Sequence, residues 1–95
     1  MIFKKMSVKQ VKNIIQNSAC EEAFPAQELW FRENDLNFWA YDKQDSKVIT
    51  TQGIYRNNKL SFTTLEHETD NVEEFVEKLI DIKNKEGYKC FASQL

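Results

Sequence analysis

Two groups of side chains in this 95-residue chain have the types and spacing to do chemistry. The first is the run Arg56-Asn57-Asn58-Lys59, with Lys43 and Lys47 shortly upstream. Cations and amides carried on turns contact phosphate oxygens, so these six residues form the candidate nucleic-acid surface. The second is the acidic set Glu66, Glu68, Asp70, Glu73, Glu74 and Glu77 around the single histidine, His67. One imidazole among carboxylates faintly resembles a metal site, but no second ligand cluster stands at a recognisable spacing. The plainer reading is a solvated acidic surface, in which Glu66, Glu68, Glu73 and Glu77 would meet a protein partner.

Catalysis has less to stand on. Cys20 and Cys90 lie far from His67 in sequence, so a Cys–His pair would have to be assembled by folding. With only Gly53 and Gly87, the chain cannot build a glycine-rich phosphate loop. Paired catalytic carboxylates cannot be singled out from fifteen acids without a pocket. The expectation is therefore no catalytic residue, no metal and no cofactor, with a small enzyme ranked last among the functions. Trp30, Trp39 and Tyr41 are the aromatic candidates. Left exposed, they would form a partner surface, or Trp39 and Tyr41 with Asn37 would form a stacking platform for single strands. The preferred reading packs the Asn37-Trp39-Tyr41 face under Val8, Val11 and Ile15 of a first helix.

The elements that must position these groups follow from periodicity. Ser7-Val8-Lys9-Gln10 has capping-box spacing, and Val8, Val11, Ile14, Ile15 and Ala19 recur at helical intervals, which predicts a helix over 8–19. Pro25 and the Glu21-Glu22 pair mark its end or the loop beyond. Gln27 to Arg32 reads as a strand and Glu33-Asn34-Asp35 as a turn. Next, Leu36, Phe38 and Ala40 alternate with Asn37, Trp39 and Tyr41. A polar loop over 43–47 leads to the β-branched run Val48–Tyr55, in which Gly53 marks a bulge or a close backbone approach. Asn57-Asn58 makes a tight turn, because asparagine tolerates positive φ. Leu60, Phe62 and Thr64 then alternate with Ser61, Thr63 and Leu65.

A second helix is predicted over 71–86, with Asp70 as N-cap and Gly87 at the C′ position. Its buried stripe carries Val72, Phe75, Val76, Leu79, Ile80 and Lys83, and the expected partners of its apolar residues are Leu36, Phe38 and Phe62. On that packing, Phe75→Ala would cost roughly 3–5 kcal/mol. A short edge strand over 88–92 closes the order. The fold class is α+β: a twisted antiparallel sheet of four to five strands, one long C-terminal helix packed on it, and an additional N-terminal helix.

Length allows a single domain, 1–95. Twelve aromatic residues supply a core. Net charge is −2, but its distribution is uneven. Lys4, Lys5, Lys9 and Lys12 stand in the first twenty residues without an acid, and all fifteen acids follow. No run of about 18 apolar residues spans a membrane, and no signal sequence is visible. The expected setting is the cytoplasm, with Cys20 and Cys90 as buried, reduced thiols.

The stretch from Leu36 to Tyr88 resembles a WGR domain, the module of poly(ADP-ribose) polymerases and some bacterial proteins. The resemblance rests on an aromatic strand (Leu36-Asn37-Phe38-Trp39), a hairpin, and a β-branched strand ending at a glycine. A tight turn, a return strand and a helix closing on Glu86-Gly87-Tyr88 complete it. It places a WGR-like core at about 27–92. The family signature falls on Gln52-Gly53-Ile54, where only the glycine is kept. The tryptophan and arginine that contact DNA ends in family members have no counterpart, so that activity does not carry over. The resemblance implies a non-enzymatic interaction module. A protein partner or self-association ranks above nucleic acid, in a regulatory, inhibitory or oligomer-forming role.

Overall fold

The computed structural model describes residues 7–20, 24–57 and 59–93. Lys4, Lys5, Glu21, Glu22 and Asn58, and the side chains of Ala19 and Cys20, lie outside the described residues. The elements run α1 (Val8–Cys20), β1 (Glu28–Arg32), β2 (Asn37–Lys43), β3 (Lys47–Arg56), β4 (Lys59–Glu68), α2 (Val72–Lys85) and β5 (Lys89–Ser93). The five strands form one antiparallel sheet in the order β4-β3-β2-β1-β5. The α+β class read from the sequence is the observed one. No helix among the described residues is long and apolar enough to cross a membrane.

Local chemistry sets the helix ends. Ser7 and Gln10 close a reciprocal capping box: the Gln10 amide donates to Ser7 Oγ at 3.2 Å, and the Ser7 amide donates to Gln10 Oε1 at 2.9 Å. The N-cap of α2 is Asn71, not Asp70. Asn71 Oδ1 accepts from the Glu74 amide at 3.1 Å, three residues on, while Asp70 sits one residue too early to reach it. At the other end the Gly87 amide donates to the Asn84 carbonyl and the Tyr88 amide to the Lys83 carbonyl. With Gly87 at φ 98°, this is a Schellman closure. Asn57, in the β3–β4 turn, has φ 54°, as the turn chemistry requires.

The two helices lie on opposite faces of the sheet. On one face α1 packs Val11 and Ile15 against Leu29, Phe31, Phe38, Ala40 and Tyr55, with Phe24 beside them. On the other, α2 packs Val76 against Trp30, Trp39, Tyr41, Val48 and Tyr88, with Val72, Phe75, Leu79 and Ile80 around it. Alternation along β2 is thus as the sequence predicts, but the helices are exchanged. The Trp39–Tyr41 face lies under α2 rather than α1, and Phe38 and Leu36 lie with α1 rather than with Phe75. Phe75 itself is only partly buried and contacts the His67 ring at 5.2 Å, so it does not dominate the core.

Gly53 marks a close approach and not a bulge, because the β3–β4 register runs unbroken through it. A Cβ there would meet the Ser61 carbonyl oxygen and come within 2.6 Å of Phe38 Cζ. The irregularity lies instead between β1 and β5, where the pairing shifts between Leu29 and Trp30. It turns Phe91 onto the ring of Phe31, 5.9 Å between centroids.

Candidate functional site

The predicted phosphate set is not gathered in one place. The β2–β3 and β3–β4 hairpins share β3, so their tips stand at opposite ends of that strand. Ten residues of strand separate them by roughly 30 Å. Lys43 and Lys47 are occupied at their own end: Lys43 Nζ lies 3.0 Å from Glu73 and Lys47 Nζ 2.9 Å from Glu66. The Glu66 carboxylate beside it holds the Lys47 ammonium above its ordinary pKa. Two cations of the phosphate set are thus paired with two acids of the partner set. Arg56, Asn57 and Lys59 are exposed at the other tip, and Arg56 and Lys59 join none of the ion pairs among the described residues.

The aromatic candidates are core. Trp39 is 2% exposed, Tyr41 5% and Trp30 7%, so they offer neither a stacking platform nor a partner surface. The polar atoms of Trp30 and Tyr41 converge on Glu28: Trp30 Nε1 donates to Glu28 Oε1 at 3.3 Å. Burial first, then the hydrogen bond and charge of Glu28, push the Tyr41 phenol well above the ordinary tyrosine value. Lys83 lies over Trp39 and Tyr88 at 5.9 and 5.2 Å and donates to Gln52 Oε1 at 3.3 Å. Gln52, at the signature position, is therefore tied to the end of α2, with Ile54 half-buried beside it.

His67 bonds Thr50 Oγ1 at 2.9 Å on β4, one edge of the sheet. Cys90 stands on β5, the opposite edge, roughly 19 Å away across four strand spacings. The two cannot form a nucleophile–base pair in this fold. Cys90 is exposed rather than buried as expected. Partial desolvation of the sulfur, then the Glu28 carboxylate, still push its thiol up. Among the described residues no three His, Cys, Asp or Glu side chains could hold a metal ion. A cleft at the sheet end, of about 420 Å³, is lined by Lys12, Arg32, Glu33, Glu86 and Cys90. Two of its cations are already partnered, Lys12 by Glu33 at 3.5 Å and Arg32 by Asp35 at 2.9 Å, while Lys89, also on its wall, joins none of the ion pairs among the described residues.

β4 is an outer strand, paired with β3 along all ten residues, and it is largely exposed on both faces. Phe62 is 39% and Leu65 57% exposed near its middle. In an antiparallel ladder, hydrogen-bonded pairs alternate with unbonded ones. The Thr69 amide donates to the Ser46 carbonyl, which fixes the phase: Ser61, Thr63, Leu65 and His67 bond inward to β3. Leu60, Phe62, Thr64 and Glu66 therefore turn their N–H and C=O groups away from the sheet. The sequence carried a signal for this edge in Ser61, Thr63 and Thr64, because a strand polar on both faces is not a central one. Comparison with family models, with curated proteins and with solved structures finds no match to this chain.

Proposed function

We propose that the chain is a small, non-enzymatic protein-interaction module on a WGR-like scaffold, and that the free edge β4 is its docking element. One observation carries this reading: a ten-residue strand, free of bulge and proline, exposes outward backbone donors and acceptors beside Phe62 and Leu65. Sheet edges of that length are templates for added strands, and proteins without a use for them blunt them with bulges, prolines or lysines. The order of elements from β2 to Tyr88, with a glycine under the preceding strand's aromatic residue, supports the WGR-like scaffold. A cytoplasmic setting, with Cys90 reduced, belongs to the same proposal. Charge supports protein over nucleic acid, because the acids of α2 and β4 sit beside Lys43 and Lys47 and leave that end negative.

The test is Glu66→Pro. Its amide points outward, so proline there removes an edge donor without touching the β3 ladder, at the cost of one exposed ion pair. Affinity capture from the native cell with the folded variant should lose the partners that the wild type retains. Salt-sensitive binding of duplex or single-stranded DNA, abolished in an Arg56→Ala, Lys59→Ala variant, would replace this reading with the nucleic-acid one.

A further inference from the structure

Resting on that edge reading, we infer that β4 pairs with β4 of a second copy, antiparallel about a two-fold axis, to make a continuous ten-stranded sheet. Lys59 opens β4, with Arg56 across from it on β3, and Glu66, Glu68 and Asp70 stand at the other end. An antiparallel copy lays each basic end along the other's acidic end, twice over. Between them, the segment from Leu60 to Leu65 carries no charge to oppose pairing.

Geometry then selects the register. A two-fold axis perpendicular to the sheet keeps each face on its own side. Opposite residues must therefore share a face, and their numbers must sum to an even value. The two such registers with the most overlap centre on Thr63 or on Thr64. Centring on Thr64 sets Phe62 against the partner's Glu66 and Leu60 against the partner's Glu68, pairing apolar groups with carboxylates. Centring on Thr63 sets Phe62 against the partner's Thr64, brings the two Phe62 rings into diagonal contact, leaves only Leu60 against a carboxylate, the partner's Glu66, and sets Lys59 opposite the partner's His67, next along the strand to Glu68. In that register the outward groups of Leu60, Phe62, Thr64 and Glu66 all find partners, and Thr63 faces the partner's Thr63 as a close unbonded pair. One edge is a small interface, so the association is concentration-dependent and not obligate.

Sedimentation velocity over a concentration series tests this, together with oxidative cross-linking of Thr63→Cys in a Cys20→Ser, Cys90→Ser background. The wild type should shift toward twice the monomer mass as concentration rises, and Glu66→Pro should weaken that shift at least tenfold. Thr63→Cys should cross-link efficiently and Leu65→Cys, which faces the partner's Ser61, should not. A wild type that stays monomeric to millimolar concentration overturns self-pairing alone, if capture of another protein is still lost in Glu66→Pro. A dimer indifferent to Glu66→Pro, with Leu65→Cys cross-linking as well as Thr63→Cys, overturns both self-pairing and the edge reading beneath it.

Discussion

Replacing Gly53 by alanine adds one methyl group where two rigid neighbours already meet. The new Cβ would lie 2.6 Å from Phe38 Cζ and 2.7 Å from Cε1, where carbon contacts settle at about 3.5–4.0 Å. The ring must retreat by roughly 1 Å, yet Phe38 is fully buried and stacked at 5.7 Å on Phe24. The Ser61 carbonyl, the other neighbour, is backbone held in the β3–β4 ladder. Gly53 has no positive φ, so the penalty comes from contact and not from backbone strain. Overpacking of this kind costs about 1–3 kcal/mol. The reduced freedom of the unfolded chain returns about 0.4–1 kcal/mol. Because neither neighbour can yield, the expected net loss is about 2 kcal/mol, a fall in Tm of roughly 8–16 °C for a domain of this size. Urea unfolding followed by tryptophan fluorescence measures it, since Trp30 and Trp39 are both buried. In a Phe38→Leu background, which removes the offending ring atoms, the penalty should shrink. An alanine variant as stable as the wild type, or a penalty unchanged by Phe38→Leu, would refute the close approach.

Four further outcomes are expected. Trp39→Ala, which opens a cavity beneath α2, should cost about 3–5 kcal/mol. Phe75→Ala should cost about 1–2 kcal/mol, because that ring is only partly buried, and chemical unfolding of the pair would expose a reversed order. Asn71→Ala should cost about 1 kcal/mol and Asp70→Ala less than about 0.5 kcal/mol, as thermal melts would show. Cys90, although exposed, should be alkylated slowly at neutral pH, with a rate midpoint above that of an ordinary thiol; mass mapping of iodoacetamide adducts against pH reads this directly. Asp35 has its pKa lowered, first by the Arg32 hydrogen bond, so its contribution is complete above the unfolded value of about 3.9 and is lost as pH falls through the lower folded value. The stability gap between wild type and Asp35→Asn should therefore be constant at neutral pH and close in acid.

How much of this was legible in the sequence can be judged residue by residue. Capping at Ser7 and Gln10, left-handed backbone at Asn57 and Gly87, and alternation along β2 all depend on neighbours within a few residues, and the structure has each of them. Which helix covers which face is a different kind of fact. Two amphipathic helices of 13 and 14 residues present similar apolar stripes, and both faces of β2 are apolar. Nothing in periodicity distinguishes Val11 from Val76 as the neighbour of Trp39. The separation of the hairpin tips, in contrast, is fixed by topology, because two turns that share one strand must lie at its opposite ends. The edge position of β4 lay between these cases. Its threonines and serines hinted at exposure, while Phe62 and Leu65 resembled core.

The exposure of Phe62 and Leu65 follows from widths. Five strands at about 4.8 Å spacing make a sheet much wider than one helix, whose diameter with side chains is about 10–12 Å. One helix per face covers about two strands: α1 packs over residues of β1 and β2 and α2 over β2 and β3, where burial is deepest. β4 therefore gains little from the core: most of its residues are exposed, although it keeps ten residues matched to β3. A strand needed only to shield β3 could be shorter, bulged or studded with lysine. A strand kept long and regular, with its charges segregated to its two ends, is shaped for another strand to lie beside it.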